Sequence, residues 1–100
     1  MATKKKLAFD PDWVVAPGET LREWMDDNGL FHLGRDHGAG PMAVMCGLTP
    51  EVIEGVLAGT TEITEGIALG LQRGTQIPRY MWLNLERFYR EGLRQGKKPL

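Results

Sequence analysis

Apolar residues recur at helical spacing along most of the chain, and glycines and prolines break the recurrences. After Pro17, residues Leu21, Trp24 and Met25 share one helical face, and Asn28-Gly29 supplies a left-handed stop. This predicts a first helix over 17–28. The stretch from Phe31 to Gly40, with three glycines and two histidines, reads as an irregular loop. Pro41 starts a short second helix through Cys46, ended by Gly47. Thr49 is an N-cap with Pro50 behind it, and Val52, Ile53, Val56 and Leu57 form the apolar face of a third helix ended by Gly59. Ile63 and Thr64 open a fourth helix, with Ile67, Ala68 and Leu71 inward, and Pro78 begins a fifth. In the fifth, Met81, Trp82, Leu85, Phe88 and Tyr89 recur on one face, while Arg79, Glu86, Arg87, Arg90, Glu91 and Arg94 occupy the other. Glu86 and Arg90 are a favourable four-residue pair.

The expectation is therefore an all-α domain of five helices near 17–28, 41–46, 50–58, 65–75 and 78–92. Leu21, Trp24, Val52, Ile53, Val56, Leu71, Trp82 and Leu85 form its expected core. Residues 1–16 read as an arm that is too apolar at Phe9, Trp13, Val14 and Val15 for a purely solvated tail. Residues 94–100 read as a flexible tail, and no stretch shows a strand pattern.

At 100 residues there is room for one core only. The net charge of −1 is uninformative, but its distribution is not. Residues 41–77 hold Arg73 against four glutamates, whereas residues 78–100 hold six basic and two acidic groups. The chain has an acidic middle and a basic end. Cys46 stands alone, which excludes an internal disulfide or thiolate zinc cluster and fits a reducing cytoplasm. Asp10, Pro11 and Asp12 interrupt the apolar run that a signal peptide would need after Lys4, Lys5 and Lys6, and no run approaches a membrane span. A cytoplasmic protein is expected.

A short helix, Gly47-Leu48, and a Thr49-capped helix form the signature of a tight helix-turn-helix, in which glycine takes the positive φ of the turn. The likeness extends further. Pro17-Gly18-Glu19-Thr20-Leu21-Arg22-Glu23 resembles the opening of the HigA antitoxin family. Leu48-Thr49-Pro50 with Val52-Ile53 matches its turn and third helix, and Ile63-Thr64 with Ala68 and Leu71 its fourth. Trp82-Leu83-Asn84-Leu85-Glu86 followed by Tyr89 is similar to its terminal Trp-Leu-Asn-Leu-Gln…Tyr signature. The resemblance covers roughly residues 17–90.

It implies a lambda-repressor-like fold of the XRE type, a homodimer, binding of operator DNA, and often a partner toxin of the HigB or RelE type. Thr49, Glu51, Val52, Glu54 and Gly55 would then face the major groove, and Arg35, Thr60, Thr61, Lys4, Lys5 and Lys6 would contact phosphates. Met81, Phe88 and Tyr89, in the aromatic stripe of the last helix, would form the dimer face. The loop at 31–40 departs from the family, which enters its second helix sooner and with a polar start.

The third helix also departs: it offers Glu51, Glu54, Gly55 and Ala58 where arginine, lysine, glutamine or asparagine would ordinarily read bases. An acidic face favours a different class of function, a helix-turn-helix scaffold that has lost its DNA face and holds another protein. His32, Asp36 and His37 lie close together, but Gly34, Gly38 and Gly40 would leave them floppy as ligands, and no metal site or cofactor is expected. Met42, Met45 and Cys46 read as core filler. Gly66, Gly70 and Gly74, four apart on the fourth helix, suggest close packing. No nucleophile elbow or phosphate loop is present, and an enzyme is not expected.

Overall fold

The computed structural model describes residues 13–32 and 37–99. Five α-helices carry the fold: α1 (Pro17–Asp27), α2 (Ala39–Cys46), α3 (Pro50–Ala58), α4 (Glu65–Thr75) and α5 (Arg79–Arg94). Each boundary has a local cause. Pro17 occupies the first turn of α1, and the Asn28 amide donates back to the Trp24 carbonyl at 2.8 Å. Thr49 and Thr64 cap α3 and α4, their hydroxyl oxygens accepting from Val52 and Ile67 N–H at 3.2 and 3.4 Å. The first N–H of α5, on Arg79, donates to the Gln72 side-chain oxygen of α4 at 2.7 Å.

Helix α2 starts two residues earlier than Pro41 suggests. Gly38 holds φ +94° immediately before it, and a Cβ there would collide with the Leu30 carbonyl. That contact joins α2 to a 3₁₀ turn at Leu30–His32, which puts Leu30 and Ala39 into the core. Pro41 is accommodated because the N–H groups of a helix's first turn have no intrahelical acceptor, so the donor that proline lacks is not missed.

The core is shared by every helix. Leu21 and Met25 of α1, Met42 and Cys46 of α2, Ile53 of α3, Leu71 of α4 and Trp82 of α5 are fully buried. Helix α1 packs on α3 and α5, α2 on α3 and α4, and α4 on α5. Trp24, Val52 and Leu85, expected inside, are only half-buried and pack against the core from its edge. In α1 the pair Leu21 and Met25, four apart, sets the inward direction, and Trp24 lies to one side of it.

Two short strands lie where no strand pattern was expected, and residues 1–12 of the expected arm lie outside the described residues. Trp13–Val14 (β1) pairs in parallel with Lys98–Pro99 (β2) alongside α5. Two residues are too few to show a period. No single helix among the described residues is long and apolar enough to cross a membrane.

Candidate nucleic-acid interface

Helices α2 and α3 meet at 109° across the turn Gly47–Thr49. Gly47 takes φ +69°, and the following Leu48 N–H donates to the Ala43 carbonyl at 2.9 Å, which fixes the angle of departure. The resulting corner exposes one face of α3. Glu51 and Glu54 stand on that face with Pro50 and Ala58, all exposed. Thr49 is exposed at the head of the helix, its oxygen engaged by Val52 N–H and its hydroxyl proton free to be donated outward.

Two residues expected on this face are elsewhere. Val52 turns toward the core. Gly55 is covered, because the Thr61 side chain occupies the space that a Cβ would fill. Thr60 and Thr61 donate their N–H groups to the Gly55 carbonyl at 2.9 and 3.1 Å, and the Thr60 hydroxyl adds a third contact at 3.4 Å. These threonines close the C-terminal end of α3, although Thr60 remains exposed. Lys4, Lys5, Lys6 and Arg35 lie outside the described residues.

The structure brings two arginines to α3 that the pattern of the chain does not single out. Arg22 of α1 donates to the Leu57 carbonyl at 3.4 Å and lies 5.9 Å from the Phe31 ring centroid. Arg73 of α4 reaches the turn, its guanidinium 3.7 Å from where a Gly47 Cβ would stand. One cation therefore lies beside the C-terminal part of α3 and another at the turn that precedes it. A groove of about 490 Å³ runs beside this face, lined by Arg22, Phe31, His37, Glu54, Leu57 and Ala58 among others. Contacts of this kind join residues far apart in sequence, so no short motif would reveal them.

The remaining exposed surface is unevenly apolar. Val44 and Met45 of α2 are 82% and 44% exposed, so Met45 is not core filler, whereas Met42 and Cys46 are. Burial pushes the Cys46 thiol up from 9.0 to about 11, with a Gly74 backbone hydrogen bond pulling the other way. On α5, Met81 and Phe88 are 42% and 60% exposed, but Tyr89 is 6% exposed and belongs to the core rather than to a dimer face. Glu86, expected on the outer face, is buried as well. Arg90 donates its Nε–H to the Glu86 carboxylate at 2.5 Å and covers it, and this contact holds the guanidinium still more firmly protonated. The chain matches no protein family, no curated protein and no solved structure in comparisons with each.

Proposed function

We propose that the protein is a DNA-binding regulator that lays α3 in the major groove, as its resemblance to the HigA antitoxins implies. The observation that carries this reading is the 109° corner between α2 and α3, with the threonine-capped α3 burying Ile53 and Val56 and leaving its opposite face exposed. A corner of about 90–120° with a short glycine turn is the arrangement that presents a recognition helix. Thr49 at the head of α3 is the group for a backbone phosphate or a base edge. Glu51 and Glu54 are placed to accept from cytosine N4, the usual major-groove partner of a carboxylate. Arg22, beside the C-terminal part of α3, and Arg73, at the turn that precedes it, supply phosphate neutralisation.

A second reading, favoured by one observation, keeps the scaffold and changes the ligand. Glu51 and Glu54 are exposed with no ion pair among the described residues, and a carboxylate face is repelled by phosphate. On that reading the same face holds a basic protein. The two separate on a titration of the full chain with non-specific duplex DNA at several salt concentrations. The DNA reading expects binding at low salt that weakens linearly in log affinity against log salt. Absence of binding at low salt would leave the protein-docking reading standing.

A further inference from the structure

Between the C-terminal half of α5 and the paired chain ends lies a groove of about 340 Å³, lined by aromatic rings and charged groups together. On the helix side stands Phe88, 60% exposed, with the Arg87 guanidinium 4.9 Å from its ring centroid. Arg87 is held there by a hydrogen bond to the Asn84 side-chain oxygen at 3.1 Å. On the strand side stands Trp13, and its parallel pairing with Lys98 brings the Lys98 ammonium to 6.0 Å from the indole centroid. Gly92 lets β1 lie this close to α5, because a Cβ at that position would collide with the Val14 side chain. The Lys97 N–H donates to the Gly92 carbonyl at 3.0 Å, which fixes Lys97 in the lining beside Glu91 and Gln95.

We propose that this groove takes one unpaired base of a single-stranded nucleic acid, stacked on Phe88, with the flanking phosphates on Arg87, Lys97 and Lys98. Charge makes the first selection. Glu86 is neutralised by Arg90, which leaves three cations against Glu91 around the groove, so its occupant is anionic. The rings make the second. Single strands are held by cations that follow the backbone and by aromatic side chains on which bases stack, and Phe88 with Arg87 beside it offers both in adjacent residues. Glu91 makes the third, against an acidic peptide. Its carboxylate would be set against the peptide's own, whereas it accepts from the exocyclic amino group of a cytosine or adenine. The volume lies at the small end of the range for ligand sites, about 300–1,000 Å³, which suits one ring system and not a partner helix. A base stacked and paired within a duplex offers no face to Phe88, so this site is separate from the acidic face of α3 and does not rest on the reading of that face.

Fluorescence anisotropy of the full chain with labelled oligodeoxycytidylate and oligothymidylate, at several salt concentrations, tests the assignment. Both strands are expected to bind at low salt, the cytidylate more tightly. Phe88→Ala should weaken both by about 5-fold or more, the effect of removing one stacking platform. Arg87→Ala and Lys98→Ala should each reduce the slope of log affinity against log salt by about 0.7. Glu91→Ala should abolish the preference for cytidylate while strengthening thymidylate binding, opposite changes that a loss of structure would not give. Duplex affinity should not respond to Phe88→Ala, so failure of the duplex reading and failure of this one are told apart. Four results would overturn the proposal: no strand bound at low salt, a Phe88→Ala variant that binds like the parent, an oligoglutamate peptide that displaces the strand with the same dependence on Phe88, or a dimer in sedimentation that Phe88→Ala dissolves and that excludes the strand.

Discussion

A Cβ built on Gly74 runs into the Sγ of Cys46, so α4 and α2 approach too closely for even a methyl group between them. The same Cβ would stand 2.9 Å from the Met42 methyl, whereas one built on Gly66 of the same helix meets nothing within 4 Å. The regular four-residue spacing of Gly66, Gly70 and Gly74 therefore hides two different situations. Gly70 also faces α2, its Cβ position 2.8 Å from the Cys46 carbonyl, but Gly66 faces open space.

Opposite effects of one substitution follow. Gly66→Ala should stabilise the fold by about 0.5–1 kcal/mol, because alanine restricts the unfolded chain more and suits a helix better. Gly74→Ala should destabilise it by about 1–2 kcal/mol, since overpacking outweighs the same propensity gain. Adding Cys46→Ala to Gly74→Ala should recover part of the loss through a favourable coupling. Urea denaturation of these three variants and of Cys46→Ala alone reads this directly, and equal effects at 66 and 74 would contradict the packing described.

Trp82 is fully buried, and its indole N–H finds no acceptor among the described residues. Trp82→Ala should cost about 3–5 kcal/mol as a large-to-small core change. Trp82→Phe gives up part of the ring but also removes a buried unsatisfied donor, whose desolvation costs about 1–3 kcal/mol. Its net cost should stay below about 2 kcal/mol. A phenylalanine variant as unstable as the alanine variant would mean that the N–H is satisfied after all.

What could be read along the chain was what has a local cause. Thr49, Thr64, Gly29, Gly47 and Gly59 fix helix ends through bonds and dihedral angles of their own neighbourhood, and the ends came out where those residues stand. The start of α2 did not, because it depends on Gly38 meeting Leu30 across a turn. Phe88 and Tyr89 are adjacent on one apolar stripe, and only the packing of α5 against its neighbours decides that Tyr89 goes inside and Phe88 out. Glu86 falls on the polar side of the helical pattern and is nonetheless buried, ion-paired with Arg90 one turn on. At the candidate interface, exposure of Glu51 and Glu54 follows from helical period alone. Removal of Gly55 from that face follows from the Thr60–Thr61 segment folding back over it, and the approach of Arg22 and Arg73 is purely tertiary.

Cys46 ties stability to alkaline pH. With its thiol at about 11 in the folded chain against an ordinary 9.0, the folded state keeps a proton that the unfolded state has already released between those values. The unfolded state then binds fewer protons, so stability falls as pH rises, by about 1.4 kcal/mol per unit within the window. Below pH 9 the thiol is protonated in both states and contributes no slope. Cys46→Ala should therefore lose less stability than the parent between pH 9 and about 11, the difference reaching on the order of 2 kcal/mol. Parallel curves for the two proteins would show that the thiol ionises as freely in the fold as in water.

The acidic face of α3 makes the most consequential prediction. If α3 enters the major groove, Glu51 and Glu54 lie near phosphates, and Glu51→Gln with Glu54→Gln should raise non-specific affinity by relieving repulsion. In the parent protein the slope of log affinity against log salt should be shallow, since Arg22 and Arg73 are the cations brought to α3 among the described residues. Arg73→Ala should reduce that slope by about 1. At a specific site the double substitution should act in the opposite sense. A carboxylate accepting from cytosine N4 discriminates by about 1–3 kcal/mol, and the glutamine pair should lose that preference at one base pair while gaining affinity elsewhere. Fluorescence anisotropy with a random duplex and a selected operator measures both. If neither the parent nor the glutamine pair binds at low salt, α3 is not a recognition helix. Its carboxylates would then meet lysines and arginines of another protein, and the same double substitution would weaken that complex instead.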